Sequence, residues 1–161
     1  MSGHESTDGV RPVTRFDVAA IKRIADATGL FPSSMLDDMI SPYLVGESKH
    51  LWVACEAESA YAAVGFAYCE PERMTVGTWN VLAIGVLPEH QGRGIGAAIM
   101  GYLEQLLRRS GQRILLVETS ATPEFQRTRE FYRNLRHTAE ARIRDYYDAG
   151  DDKIVFWKRL P

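Results

Sequence analysis

Apolar and polar positions along the chain fall into two periods, one helical and one alternating. Val10 to Thr14 reads as a short first strand. Val18, Ile21, Ile24 and Ala25 then recur at helical spacing, which predicts a helix from an Asp17 N-cap to Thr28 with Gly29 as its stop. Met35, Leu36, Met39 and Ile40 predict a second short helix after Pro32, closed by Pro42. From Leu51 the texture changes to that of strands. Leu51 to Ala57 and Ala62 to Glu70 predict a hairpin across Glu58-Ser59-Ala60-Tyr61, and Pro71 to Met74 a turn. Thr78 to Val86 becomes apolar on both faces, as a central strand requires. Ile95, Ile99, Leu103, Leu106 and Leu107 form the stripe of a helix over Gly94 to Ser110, with Gly111 just past its end. Ile114 to Val117 reads as a buried parallel strand. Thr122 as N-cap, Pro123 at the first helical position and Glu124 in the first turn start a helix that runs to about Leu135. Ala139 to Tyr147 and Lys153 to Leu160 close the chain as two strands around the turn Asp148-Ala149-Gly150-Asp151-Asp152.

The order is therefore β-α-α-β-β-β-α-β-α-β-β. Strand, helix and strand from Thr78 to Val117 make a right-handed parallel crossover, while the rest pairs antiparallel, so the fold class is α/β with a mixed sheet. A polar tail over residues 1–9, without order, precedes a single domain over 10–161. The chain has 161 residues, 45% hydrophobic, with a formal net charge of -2. That balance gives no electrostatic case for nucleic acid or an anionic membrane. No apolar window is long enough to span a bilayer, and the first residues lack a secretory h-region, so the default is a soluble cytoplasmic protein. Cys55 and Cys69 read as small buried hydrophobes with reduced thiols, and the four histidines lack ligand spacing, so no metal is expected.

The chemistry concentrates where the strand ending at Val86 meets the helix after it. Gln91-Gly92-Arg93-Gly94-Ile95-Gly96-Ala97 places alternating glycines at a helix start, where free backbone N–H groups and the helix dipole suit a pyrophosphate. A P-loop is excluded, since no lysine follows the glycines. Gly92-x-Gly94-x-x-Ala97 matches the dinucleotide fingerprint, with Glu118 at the right distance for a ribose hydroxyl. Against that reading, five residues separate strand from glycines, and too few βα units follow.

The whole stretch, Gln91-Gly92-Arg93-Gly94-Ile95-Gly96 after a valine-ended strand and a proline bend, resembles the GCN5-related N-acetyltransferase (GNAT) superfamily. The element order is also that family's, so the resemblance spans about Val10 to Leu160. It implies a GNAT-like acyl-CoA acyltransferase fold and an N-acetyltransferase. The acetyl group would move by direct transfer from acetyl-CoA to a primary amine of a small molecule or peptide. The resemblance implies that the N–H groups of Gln91, Gly92, Arg93, Gly94, Ile95, Gly96 and Ala97 cradle the pyrophosphate, with Arg93 adding charge. It implies that Ile84 and Val86 meet the pantetheine arm through their backbone, with Gly85 at a bulge. It makes Tyr132, in the pair Phe131-Tyr132, the general acid, against the plainer reading of a core ring. The strand before the loop lacks the acid that some members use as base, so Glu118 is the substitute, beside apolar Leu116 and Val117. Its plainer reading is a carboxylate bonded to backbone or to Arg129. Asn80, Thr119 and Ser120 are weaker candidates for binding acceptor, cofactor or water. The chain departs from the family at Arg136-His137, where Gly-Phe is common, and at Phe125, where asparagine is frequent. Phe31, Met35, Met39, Tyr43, Trp52, Tyr68, Trp79, Tyr146 and Tyr147 are available to line an acceptor pocket. Two further readings stay open: a non-catalytic acyl-CoA-binding regulator and a nicotinamide-dependent oxidoreductase. A homodimer is also open, because an edge strand such as Lys153 to Leu160 needs cover.

Overall fold

The computed structural model describes residues 9–57 and 62–161. Its elements are β1 (Val10–Pro12), α1 (Val18–Thr28), α2 (Leu36–Leu44), β2 (Leu51–Glu56), β3 (Ala63–Pro71), β4 (Thr78–Val86), α3 (Ile95–Arg109), β5 (Ile114–Ser120), α4 (Gln126–Asn134), β6 (Thr138–Asp148) and β7 (Asp151–Arg159). This is the order read from the pattern, and the seven strands form a mixed sheet. Residues 1–8 of the expected tail, and the hairpin turn at 58–61, lie outside the described residues. Gly9 is described, and its carbonyl accepts the N–H of Glu56. Two compact units contain these elements: Met1–Glu70 with Ala83–Leu106, and Pro71–Leu82 with Leu107–Pro161.

In the first unit β1, β2 and β3 pair antiparallel, through Val10↔Cys55 and Trp52↔Tyr68 among others. Ile21 and Ile24 of α1, Leu36 and Ile40 of α2, and Trp52 and Phe66 of the strands fill its core. Gly29 ends α1 at φ 68, a left-handed residue that glycine adopts without strain. Asp17 does not cap α1 with its side chain. It turns back to accept the N–H of Thr14 at 2.8 Å and takes both guanidinium nitrogens of Arg11 at 2.8 Å. Hydrogen bonding to Arg11 holds its carboxyl below the usual range. Pro42 does not close α2, which runs on to Leu44. A proline in the last turn gives up only its own N–H, and Val45 N–H still reaches the Ser41 carbonyl and Glu47 N–H that of Pro42. On α3, Leu106 lies at the rim of the apolar stripe and is 36% exposed, while Met100 is fully buried. Gly65 lets that helix seat closely, since a Cβ there would stand 3.0 Å from Ile99 and 3.1 Å from Ile95.

In the second unit the start of β4 pairs parallel with β5 from Thr78↔Ile114 to Val81↔Val117, and β5 pairs antiparallel with β7. Leu115, Val117, Tyr132 and Phe156 are buried there. Gly111, at φ 78, closes α3: its N–H bonds to the Arg108 carbonyl and that of Gln112 to the Leu107 carbonyl. The closing hairpin differs from expectation in one respect. β7 is an inner strand between β5 and β6, so the edge belongs to β6, all eleven residues of which are exposed. Cys55 and Cys69 are free and buried, and burial pushes both thiols up, away from reactive thiolate. Among the described residues no helix is long and apolar enough to cross a membrane.

Candidate active site

Two stretches of sequence singled out above are each assembled within one unit. The first is the loop between β4 and α3. Leu87 N–H donates to the Val64 carbonyl at 2.8 Å, which ties the end of β4 to β3. Pro88–His90 forms a single 3-10 turn, and the Gln91 side chain reaches back to donate to the Val86 carbonyl at 3.0 Å. Gly92 and Gly94 stand at φ 76 and 82 with open space around their Cα atoms, so left-handed backbone, not crowding, requires glycine at both. The first intrahelical bond runs from Ala98 N–H to the Gly94 carbonyl, at 3.0 Å. The N–H groups of Ile95, Gly96 and Ala97 therefore have no acceptor in the helix. Gln91 to Gly94 are exposed. The result is an accessible row of backbone donors at the positive end of a fifteen-residue helix. Such a row fits a pyrophosphate.

Ile84 and Val86, upstream of the loop, are half-buried and Gly85 is buried. A Cβ on Gly85 would meet Leu30 at 2.7 Å, Ile24 at 3.3 Å and Thr28 at 3.4 Å. Its glycine thus admits α1 close to β4.

The second stretch is a polar cluster at the carboxyl end of β5. Glu118 Oε1 accepts from Asn80 Nδ2 at 3.2 Å, and Glu118 Oε2 lies 3.2 Å from the Lys153 ammonium. Neither an apolar setting nor Arg129 surrounds Glu118. Arg129 instead donates to the carbonyls of Ser120 and Thr122, each at 2.8 Å. Asn80 is buried and its Nδ2 also donates to Glu72 at 2.8 Å. Ser120 Oγ donates to Asp151 at 2.5 Å and pairs with Thr122, whose hydroxyl does not cap α4 as expected. Thr119 is buried beside them in sequence. Tyr147 has its phenol pushed up to about 12, first by burial and then by the charge of Glu118.

Tyr132 is the one buried residue of α4. Its ring packs on Phe131, Phe156 and His137, with centroids 5.3, 5.4 and 6.1 Å away. Burial raises the phenol well above its ordinary value, with Tyr147 adding to the effect. The Arg136-His137 departure also has its place. Arg136 takes the left-handed position after α4, at φ 67, and its N–H bonds to the Arg133 carbonyl; His137 N–H bonds to that of Tyr132. This is a Schellman end with arginine in the glycine slot and histidine in the apolar one. The His137 ring is buried with no hydrogen-bond partner on either nitrogen. Burial, then the charge of Lys158, lower its pKa to about 4; the carbonyls of Leu135 and Tyr132 oppose this without well-formed bonds.

Sequence reasoning overlooked Lys153 and Glu72. The available signal for Lys153 was a basic residue between the turn acids Asp151-Asp152 and the apolar run Ile154-Val155-Phe156. It also overlooked a trio in the first unit. There the Tyr68 hydroxyl donates to Glu70, and His50 lies 3.3 Å from that hydroxyl and 3.4 Å from Glu70. The Tyr68-x-Glu70 spacing, which puts both on one strand face, was its only trace.

The model of the acetyltransferase (GNAT) family matches residues 19–136. None of the curated proteins matches the sequence. Among solved structures, a GNAT-family protein from Desulfovibrio desulfuricans is similar at 26% identity and a TM-score of 0.85, over 94% of this chain and 98% of that one. The ribosomal-protein-S18-alanine N-acetyltransferase of Escherichia coli shares the fold at 18% identity and a TM-score of 0.75, over 94% and 92%. A Salmonella typhimurium protein solved with acetyl-CoA does so at 17% and 0.74, over 94% and 93%. The dinucleotide reading of Gly92 and Gly94 and the non-catalytic reading are set aside, and the chain belongs to the acetyltransferase (GNAT) family, as an acetyl-CoA-dependent N-acetyltransferase.

Proposed function

We propose that this enzyme moves the acetyl group of acetyl-CoA to a primary amine of a small molecule or peptide by direct transfer. The observation that carries the reading is the row of backbone N–H groups at the start of α3, free of helix acceptors at Ile95, Gly96 and Ala97 and opened by two exposed left-handed glycines, Gly92 and Gly94. When bound, acetyl-CoA supplies a thioester carbonyl that is open to attack by an amine. In this reading Gln91, Gly92, Arg93, Gly94, Ile95, Gly96 and Ala97 hold the pyrophosphate, chiefly through backbone N–H groups. The backbone of Ile84, Gly85 and Val86 lies along the pantetheine arm. Tyr132, a neutral phenol, gives its proton to the departing sulfur. Glu118 takes a proton from the attacking amine. The chain acts in the cytoplasm and needs no nucleic acid or membrane partner.

The test begins with thermal shifts in acetyl-CoA, free CoA, NAD and NADP. A ligand at a hundred times its dissociation constant adds about 2.7 kcal/mol of stability. Stabilisation by acetyl-CoA and CoA alone is the expected result, followed by an amine panel read by thiol release. Stabilisation by NAD or NADP alone, or thiol release that no amine accelerates, would overturn the reading.

A further inference from the structure

The Glu118 carboxylate is addressed at both oxygens, one by Asn80 and one by Lys153. Lys153 is 7% exposed, an unusual place for an ammonium, and the fold holds it there by three devices. It sits in the inner strand β7, opposite Ser120 of β5 and Ile143 of β6. Its Nζ lies 3.8 Å from the centroid of the Tyr146 ring, a cation–π contact. Tyr146 is brought there by a wide bulge, since residues 144–147 of β6 stand opposite Asp152 alone, between the pairs Ile143↔Lys153 and Asp148↔Asp151. The bulge is tied down at Asp145, which takes φ 53. Its N–H donates to Asp152 at 2.9 Å, and its carboxylate accepts the N–H of Gly150 at 2.8 Å. Arg142 clamps the same Asp152 at 2.6 Å.

We propose that Lys153 is a positioning residue for acetyl transfer, acting through Glu118. Its ammonium fixes one carboxylate oxygen while Asn80 fixes the other, so the carboxylate presents a set orientation to the attacking amine. A salt bridge serving stability alone gains little from burial, because desolvating both charges offsets their attraction. A function in orienting a base explains why β7 buries a lysine between Asp152 and Ile154. The inference rests on Glu118 being the base, and its test separates the two.

The experiment is a double-mutant cycle on the full chain with Lys153→Met, Glu118→Gln and both together, reading kcat and the KM values for acetyl-CoA and amine. Lys153→Met is expected to lower kcat about 10-fold or more, to leave KM for acetyl-CoA unchanged, and to add nothing to the loss from Glu118→Gln. Lys153→Arg, which keeps a charge on the carboxylate, is expected to recover much of kcat. Should Lys153→Met not fold, Lys153→Gln carries the same cycle. A loss that adds in full to that of Glu118→Gln, or an unchanged kcat in Lys153→Met, overturns the positioning role. An unchanged kcat in Glu118→Gln overturns the base assignment itself, and the positioning role falls with it.

Discussion

At the scale of single residues, Tyr132 and Arg136 lie at one helix end, the first proposed as the proton donor and the second setting the backbone turn. Tyr132→Phe removes one oxygen and keeps a ring that packs on Phe131 and Phe156. It is expected to lower kcat by about 100-fold or more while leaving KM for acetyl-CoA and the melting temperature close to wild type. Steady-state thiol release checks the first and a thermal melt the second; an unchanged kcat would confine Tyr132 to packing. Arg136 is exposed and left-handed, so its side chain has little to lose. Arg136→Gly relieves a conformation that costs a non-glycine residue about 1 kcal/mol and is expected to raise stability by roughly that amount in urea titration. The family resemblance flagged Arg136 and His137 as departures, but only backbone angles explain them. The chain keeps the shape of the helix end and changes the residues that build it.

At the scale of elements, Gly65 sets how closely α3 seats on β3. Gly65 of β3 faces Ile95 and Ile99 in the first turns of that helix, with the Gly85 carbonyl 3.3 Å from where a Cβ would stand. Gly65→Ala must push back either a β-branched side chain or a backbone carbonyl. It is expected to destabilise the protein by about 1–3 kcal/mol and to weaken acetyl-CoA binding more than it weakens kcat. Urea titration and a KM measurement read the two effects. The sequence made the elements legible because their periods are strong: β4 and the end of α1 at Gly29 fall where the pattern puts them. What it left unread depends on side chains meeting across strands. Asp17 looked like a cap because nothing local reveals Arg11 as its partner. Lys153 to Leu160 looked like an edge because strand order in a closing hairpin is a tertiary fact. The outer strand of that hairpin, β6, carries a register shift between Ala139 and Ala141, the wide bulge after Ile143, and charges at Glu140, Arg142 and Arg144. Those features discourage pairing with another chain.

At the scale of the whole molecule, the ionisable groups displaced by folding act in the same direction on acidification. His137 titrates at about 4 in the folded protein against 6.5 in an exposed histidine, so between those values the unfolded chain binds the extra proton. Stability from this group is therefore complete above pH 6.5 and is lost as pH falls toward 4, by a few kcal/mol at most. Asp17, held below its ordinary value by Arg11, adds a second loss of the same sign that begins only below about pH 4, near the ordinary carboxylate value. The unfolding free energy is expected to fall in two stages, the first of them owed to a buried ring with no hydrogen bonds. His137→Phe removes that ring's titration and its two unpaired nitrogens, while keeping an aromatic group against Tyr132. The variant is expected to be more stable at pH 7 by about 1 kcal/mol or more. It should show a flat stability between pH 6.5 and 4, and it should keep the later fall that belongs to Asp17 and Asp152, two carboxyls the fold holds below their ordinary value. Urea titrations at half-unit steps of pH decide it. A slope between 6.5 and 4 that survives in His137→Phe would assign the acid sensitivity to other groups. It would leave His137 as packing that happens to carry nitrogen.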